Sequence, residues 1–284
     1  MNEIDFEEYR AHLRGVAYRM LGSLTEADDA VQEAWLRLNR SDVRDVSNLG
    51  GWLTTVVARV CLDMLRSRES RAEEPVPAAM AQQPAPSDPE SEAQLADSVG
   101  IALLLVLDTL EPVERLAFVL HDVFAVPFDE IASIVGRSPD AARQLASRAR
   151  RRIQGVPTQA IPDSGLVNQR KVVSTFLAAL RKGDMQSLLA VLDPDVVVRF
   201  EQADGSRQEL RGAMNWAKGA TAFSYGFRFA DAALVDGSPG LVMALHGKLF
   251  RAVRFTFGGD GRIVGADVIA HRARLDALDL GVLA

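Results

Sequence analysis

The chain has 284 residues, 48% of them hydrophobic, which predicts about two globular domains with apolar cores. No apolar run reaches the roughly 18 residues that a membrane span needs, so we expect no contact with membranes. Residues 1–10 are acidic and lack the pattern of a secretion signal, so a cytoplasmic protein is expected. The single cysteine, Cys61, excludes an intramolecular disulfide and a thiolate metal cage. Because Cys61 lies in an apolar helical stripe, we predict a buried side chain rather than a redox sensor, and neither metal nor cofactor.

The net charge of −6 argues at first against a DNA-binding protein, because contacts with phosphate normally leave a basic surface. The distribution of charge removes this objection. Residues 69–100 contain one basic and seven acidic residues, so this segment alone equals the acidic excess. The rest of the chain is balanced and has one concentrated basic cluster at residues 137–152. DNA binding therefore stays open.

Helical periodicity dominates the first third of the chain. Apolar residues spaced by three or four predict a helix over residues 5–21 and a longer one over residues 52–68. Between them, Thr25 with Asp28 three residues on resembles a capping box that opens a helix to about Arg40. We therefore predict an all-α unit here.

The composition changes between residues 69 and 97, where proline, alanine, glutamine and acidic residues replace the large apolar ones. This change predicts an extended linker. Helical patterns then resume in four short segments, at residues 101–110, 114–121, 128–135 and 139–153.

The last part of the chain mixes helical and strand patterns. Two helices are predicted, at residues 167–181 and 185–192. Short β-type runs predict strands at residues 196–201, 241–244, 250–257 and 263–270. Turn signals separate them, at Asp204-Gly205, Asp236-Gly237, Gly258-Gly259 and Asp260-Gly261. Helices that precede an antiparallel sheet make this an α+β unit.

Residues 128–144 have the form of a helix-turn-helix, in which Gly136 ends the first helix. Ser138 is a good N-cap for the second helix, and Pro139 suits its first position because the missing N–H would be unpaired there. Asp140 complements the dipole at the helix N-terminus. The sequence therefore predicts a well-defined second helix.

One face of this second helix is apolar and the other is polar, as a reader of the DNA major groove requires. Arginine can bond guanine and glutamine can bond adenine in bidentate fashion, while outer arginines suit phosphates. The candidates for DNA contact are Arg137, Ser138, Pro139, Asp140, Arg143, Gln144, Ser147, Arg148 and Arg151. A solvated basic helix of an ordinary bundle is the alternative. A repressor or an activator also stays open at this point.

Three motifs in order resemble the extracytoplasmic-function sigma factors of bacterial RNA polymerase. Residues 26–37, EADDAVQEAWLR, and residues 51–66, GWLTTVVARVCLDMLR, resemble the helices of sigma region 2. Residues 115–124, RLAFVLHDVF, and the helix-turn-helix resemble region 4, with no region 3 between. The resemblance implies region 2 at 1–70, an acidic linker at 71–98, region 4 at 99–155, a second linker at 156–165 and a further domain at 166–284.

The resemblance implies that the chain binds core RNA polymerase, at the β′ clamp and the β flap, and directs promoter-specific initiation. The implied polymerase-binding residues are Asp28, Asp29, Gln32, Glu33 and Trp35, with Trp35 and Leu36 packed below the polar face. An acidic face suits a basic partner, although a merely solvated face is the alternative.

For the promoter, the resemblance implies that region 4 reads the −35 element and that region 2 binds the −10 element. The implied −10 residues are Arg59, Asp63, Arg66 and Ser67. The loop at residues 39–48 would capture an unstacked base. Trp52 is a candidate platform for such a base, but its phase with Leu53 and Val56 favours core packing.

Residues 177–184 and 188–196 resemble the opening of NTF2-like (SnoaL-like) domains, which are curved sheets with helices around a cone-shaped cavity. In sigma factors that carry this domain, the resemblance implies regulation in cis, and we expect room for a small-molecule ligand in the cavity. Residues 73–77 and 270–275 depart from the subgroup's Trp-Leu-Pro-Glu-Pro and Asn-Pro-Asp-Lys-Leu patterns. The implied regulatory residues are Glu74, Pro75, Arg272, Arg274 and Leu275.

Two alternatives remain at this point. One is a stand-alone helix-turn-helix regulator with a ligand-sensing NTF2-like domain. The other is an enzymatic C-terminal domain, since some relatives of this fold use Asp and His in the cavity. Asp195, His246, Asp267 and His271 are the candidates, but they show no tight catalytic spacing, so we expect structural or surface roles and no catalytic residue.

Overall fold

The computed structural model describes residues 3–41, 46, 48–73, 100–155, 163–201, 206–222, 224–245 and 247–283. The described residues within 1–92 and 107–151 pack together as unit one, and those within 93–106 and 152–284 as unit two. The predicted linker at 71–98, the regulatory candidates Glu74 and Pro75, most of the loop at 39–48, the turn at Asp204-Gly205 and His246 lie outside the described residues.

The helices before residue 160 are α1 (Glu3–Leu21), α2 (Leu24–Arg40), α3 (Leu49–Glu73), α4 (Ile101–Asp108), α5 (Pro112–Phe118), α6 (Phe128–Val135) and α7 (Pro139–Gln154). A π-helical turn, Val119–Val123, extends α5. In α2, small buried residues such as Ala27, Ala30 and Ala34 face the other helices of unit one. The predicted all-α unit is confirmed.

Several helix ends differ from the predictions, and specific contacts mark two of them. The N-cap of α2 is Ser23 and not Thr25, because extended Ser23 precedes the first turn and its Oγ accepts the Glu26 N–H. Helix α3 runs past the predicted end to Glu73. At the predicted end, Arg68 donates to the Leu21 carbonyl and pairs with the Glu26 carboxylate, which anchors α3 to the α1–α2 connection.

Unit two contains a seven-stranded mixed sheet in the order β2-β1-β6-β5-β4-β3-β7, in which only the β1–β6 pair is parallel. The strands are β1 (Leu192–Glu201), β2 (Arg207–Arg211), β3 (Ala230–Val235), β4 (Ser238–Leu245), β5 (Lys248–Phe257), β6 (Ile263–Ile269) and β7 (Leu280–Val282). The helices are α8 (Asp163–Lys182), α9 (Met185–Val191), α10 (Ala213–Ala222), the 3-10 segment Ser224–Phe229 and α11 (Arg272–Leu275). The predicted α+β class is confirmed for this unit, and the sheet is mixed and not purely antiparallel.

The two faces of this sheet pack against different helices. One face and helices α8, α9 and α10 share a core that includes Phe176, Leu188 and Trp216. The other face carries a second core, in which Ile101 and Leu105 of α4 pack with sheet residues. The segment predicted as region 4 therefore begins with a helix that packs in unit two.

We expect Leu180→Ala to lower the free energy of unfolding of unit two by about 2–5 kcal/mol, because the Leu180 side chain is fully buried in α8 and leaves a cavity. Val167→Ala, on the same helix at a 65% exposed position, should change it by less than about 0.5 kcal/mol. Urea titration followed by Trp216 fluorescence, with Trp35 and Trp52 replaced by Phe, measures both. Equal losses in the two variants would contradict the assigned core.

Candidate nucleic-acid interface

Helices α6 and α7 form the predicted helix-turn-helix. Gly136 ends α6 with a φ of 67°, in the left-handed region that favours glycine. The Ser138 Oγ accepts the Ala141 N–H at 3.2 Å, which confirms the predicted N-cap. On α7 the apolar side chains Ala142, Leu145, Ala149 and Ile153 are buried as predicted.

The polar face of α7 is accessible. Its exposed members are Asp140, Arg143, Gln144, Ser147, Arg148 and Arg151, and Arg137 and Ser138 before them are exposed as well. The Arg143 guanidinium bonds Asp140 at 2.5 Å and lies over the Phe128 ring, 5.6 Å from its centroid. These contacts align Arg143 along the helix, so its donors are oriented before any DNA arrives.

Arg148 has a second role that the sequence did not reveal. Its Nε donates to the Glu114 carboxylate on α5 at 2.7 Å, although about half of the Arg148 side chain stays exposed. Glu114 is buried, so this bond neutralises a carboxylate that would otherwise be costly inside unit one. The sequence carries no signal for this pair, because Glu114 and Arg148 are 34 residues apart on different helices.

On α2, the predicted polymerase-binding residues share one polar face. Asp28, Asp29 and Gln32 are exposed and Glu33 is half-buried. Asp28 receives a two-pronged ion pair from Arg14, at 2.6 and 2.9 Å, which the sequence did not predict.

The apolar residues beside this face differ from each other. The Trp35 ring packs against Phe6, with 4.9 Å between centroids, as expected for a residue below the face. The prediction for Leu36 is wrong, because Leu36 is 39% exposed. It follows Gln32 by four residues and therefore lies on the same side of the helix.

The predicted −10 residues, Arg59, Asp63, Arg66 and Ser67, are all exposed along one side of α3. The structure brings two of them next to the α2 face. Asp63 and Ser67 line a surface depression of about 410 Å³ together with Asp29 and Glu33. Trp52 is half-buried, while Leu53 and Val56 of the same stripe are buried.

Within unit one, the predicted −10 helix and the helix-turn-helix touch. The Arg59 Nη2 donates to the Ser133 carbonyl of α6 at 3.4 Å. Phe124, just after the π-helical turn, contacts α1 through the His12 ring at 5.1 Å and the Arg19 guanidinium at 5.2 Å. Burial lowers the pKa of both His12 and Arg19. Arg115 of α5 is buried and donates to the Met20 carbonyl of α1 at 2.8 Å.

The regulatory candidates near the C-terminus lie in unit two. Leu275 is buried in the same apolar core as Ile101 and Leu105 of α4. Arg274 lies 3.7 Å from the Glu201 carboxylate of β1. Arg272 pairs with Asp276 and donates to the Leu249 carbonyl.

The residues weighed for catalysis occupy ordinary positions where they are described. Asp267 pairs with Arg254 at 2.9 Å and lies 3.5 Å from Arg199, Asp195 is exposed, and His271 precedes α11. Among the described residues there is no cluster of three His, Cys, Asp or Glu that could hold a metal ion.

Unit one combines an accessible basic helix-turn-helix with the acidic face of α2, which is the architecture of a DNA-binding transcription protein. The sigma-70 region 2 family matches residues 6–71, and the sigma-70 region 4 family matches residues 101–153. In the part of the chain that the structure describes, no helix is long and apolar enough to cross a membrane.

Relatives extend these matches. "ECF RNA polymerase sigma factor SigJ" of Mycobacterium tuberculosis is 41% identical over 204 residues, 69% of this chain and 64% of that protein. "Probable ECF RNA polymerase sigma factor SigI" of the same species is 39% identical over 201 residues, 69% of each chain. A crystal structure of the M. tuberculosis extracytoplasmic function sigma factor SigJ aligns over 97% of this chain and 98% of that one, with 30% identity and a TM-score of 0.46. The match with the first relative thus spans less than two thirds of its length.

This chain belongs to the extracytoplasmic-function RNA polymerase sigma factors. Sigma factors are transcription initiation factors and not enzymes.

Cys61 provides a test of the unit-one core. It is fully buried, and burial raises the pKa of its thiol from 9.0 to about 12. The thiolate fraction near pH 8 is therefore far lower than in the unfolded chain, and access is blocked as well. We expect Ellman's reagent to leave the folded chain unmodified at pH 8 and to label one thiol after urea unfolding. Fast labelling without urea would contradict this packing.

Proposed function

We propose that this chain acts in the cytoplasm, binds core RNA polymerase, directs it to specific promoters, and is restrained in cis by its C-terminal domain. The observation that carries the proposal is that three exposed polar faces follow one another along the part of the chain that matches the sigma-70 families. They are the acidic face of α2, the mixed face of α3 and the basic face of α7.

For polymerase, the proposed docking surface is the α2 face with Asp28, Asp29, Gln32 and Glu33. Carboxylates on one side of a helix attract a basic partner, and the exposed Leu36 beside them adds apolar area to bury. We assign this surface to the β′ clamp. The β flap would contact region 4, to which α5, α6 and α7 belong.

For the promoter, Arg143 and Gln144 are the proposed base readers of the −35 element, because both are exposed on the polar face of α7. Arg137, Ser147 and Arg151 suit phosphate contacts. Arg59, Asp63, Arg66 and Ser67 on α3 are the proposed contacts with the −10 element.

The contact between α3 and α6 sets a condition for reading both elements at once. Positions −10 and −35 are about 25 base pairs apart, roughly 85 Å along B-form DNA. The Arg59–Ser133 bond of 3.4 Å joins α3 to α6, the helix that precedes the reading helix α7, so the −10 and −35 candidates lie far closer together than that. We therefore propose that unit one opens when the sigma factor joins polymerase and its promoter.

The C-terminal domain contacts both ends of region 4, which is the basis for the proposed control in cis. At the beginning, α4 packs on the sheet, and the Asp231 carboxylate accepts the Ala102 N–H at 3.1 Å. At the end, Gly155 lies against Gly281 of β7 so closely that a Cβ on Gly281 would lie 3.0 Å from the Gly155 Cα. These contacts join α4 and Gly155 to the sheet, and we assign the control in cis to them.

We expect Asp28→Ala combined with Asp29→Ala to weaken association with core polymerase at least tenfold, because the acidic face loses both exposed carboxylates. Glu7→Ala with Glu8→Ala is the matched control, since it also removes two adjacent exposed acids, one of them paired with an arginine. Binding to immobilised core enzyme measures both. A stand-alone regulator would show no polymerase binding in any variant, and equal binding by both double variants would refute the docking surface.

Arg143→Ala should weaken binding of the holoenzyme to its promoter by about 1–3 kcal/mol and relax base preference at one −35 position. Arg170→Ala, at an exposed position on α8, should have no effect. Promoter selection from a randomised −35 library provides the readout. An unchanged preference in Arg143→Ala would remove this residue from base reading.

Truncation after residue 270 removes α11 and β7, and with them Leu275 and Gly281, so we expect more transcription with unchanged sequence preference. A chain ending at residue 160 should also change its output without changing preference. Gly281→Val, which crowds Gly155, should mimic the first truncation, whereas Gly259→Val in an open hairpin should not. Run-off transcription measures all four. Unaltered output from both truncations would refute control in cis.

A further inference from the structure

A cavity of about 350 Å³ opens into unit two, within the size range of small-molecule sites. Side chains of the sheet, α8, α10 and the 3-10 segment line it. Four of these side chains are aromatic: Phe176, Phe200, Trp216 and Phe227. Aliphatic side chains such as Leu241 and Val253 complete the apolar wall. Such walls favour a flat apolar molecule, because aromatic pairs gain stabilisation beyond the buried area.

One cationic group in this lining has no counterpart. Arg251 of β5 lines the cavity, and its Nε is buried without a hydrogen-bond partner in the described chain. On the same strand, Arg254 is satisfied by Asp267 at 2.9 Å. A buried guanidinium N–H without an acceptor is costly, and an anion in the cavity would relieve that cost.

The other charged residue in the lining is Glu201, and it is already balanced. Its carboxylate lies 3.6 Å from Arg207 and 3.7 Å from Arg274. Gln208, the remaining polar residue that extends into the cavity, is neutral. The unbalanced charge of the cavity is therefore positive and belongs to Arg251.

We propose that this cavity binds an apolar organic acid, with a flat aromatic or alicyclic body between the aromatic walls and one carboxylate or similar anionic group on Arg251. A charge-assisted pair of this kind is among the strong hydrogen bonds in proteins, and arginine matches a carboxylate with two parallel donors.

Strand β4, which neighbours the strand of Arg251, connects the cavity with α4, the first helix of region 4. Leu241 and Met243 of β4 line the cavity, while Val242 and Ala244 belong to the core that contains α4. A ligand that shifts β4 would act directly on the α4 contact. This regulatory role rests on the proposed function, whereas ligand binding itself does not depend on it.

The test uses the full chain and two dyes that differ by one anionic group. 8-Anilinonaphthalene-1-sulfonate carries a sulfonate, and N-phenyl-1-naphthylamine has the same ring system without it. We expect saturable binding of the anionic dye, followed by its fluorescence. Arg251→Met should weaken that binding by about tenfold or more and should change binding of the neutral dye less than about threefold.

Two variants locate the dye. Lys248→Met removes an exposed positive charge from the same strand and should leave both affinities unchanged. Gly219→Leu places a side chain at the cavity where a Cβ meets nothing within 4 Å, and it should weaken both dyes. Circular dichroism and thermal unfolding confirm that each variant is folded.

The outcomes separate the two proposals. Equal loss of both dyes in Arg251→Met, no loss in Gly219→Leu, or no saturable binding would each overturn the acid site. Dye binding is measured without polymerase, so a failure to direct transcription would refute the proposed function and leave the acid site standing. If both proposals hold, the anionic dye should change run-off transcription by the wild type and not by Arg251→Met.

Discussion

The packing of unit one depends on a buried guanidinium. Arg115 is 3% exposed, and it donates to the Met20 carbonyl at 2.8 Å and to the Asp108 carboxylate at 2.8 Å. A charge buried this far costs several kcal/mol unless its donors are satisfied. The Met20 carbonyl lies in the last turn of α1, where the helix dipole favours a cation. These bonds satisfy the two terminal nitrogens of Arg115, whereas its buried Nε has no partner among the described residues. Region 4 contacts region 2 through the bond to Met20.

Other polar and aromatic contacts join the same helices of unit one, beside a large buried apolar core. With α5 held against α1, Phe124 reaches His12 and Arg19, and α6 reaches Arg59. The proposed DNA-reading faces of α3 and α7 stay exposed in this arrangement. The activation that we propose thus changes the distance between the exposed faces of α3 and α7. Neither face has to fold anew.

In unit two, one sheet serves two purposes. Its inner face lines an apolar cavity with an unsatisfied arginine, and its outer face packs on the first helix of region 4. Side chains alternate between the faces of a strand, so β4 contributes to both. We propose that a molecule bound in the cavity acts on α4 across the thickness of this strand.

Much of this fold follows from sequence patterns. The helices of unit one have strong periodicity, and the Ser138 cap and the exposed face of α7 were predictable from residue type and phase. Strands β2, β3 and β7 were missed for physical reasons. The edge strand β2 is polar and exposed, β3 is rich in alanine, and β7 has only three residues. Short runs like these show little alternation of apolar and polar residues. They become strands because they form hydrogen bonds with neighbouring strands of the sheet.

The polar contacts between distant helices were not predictable. Arg115 and Glu114 read as surface residues of a short helix, and only the fold shows that they are buried and paired with Met20 and Arg148. The unpartnered Nε of Arg251 was not predictable for the same reason. Strand periodicity predicts which face of the sheet a side chain lies on, but it does not predict the hydrogen-bond partners of that side chain.

The most direct test of the central claim is in vitro transcription with core RNA polymerase and this chain on promoters selected by the reconstituted holoenzyme. The account predicts initiation at a fixed start site that requires the chain and is lost when the −35 or the −10 element is scrambled. Absence of initiation at every selected promoter, with core enzyme that is active with another sigma factor, would contradict it.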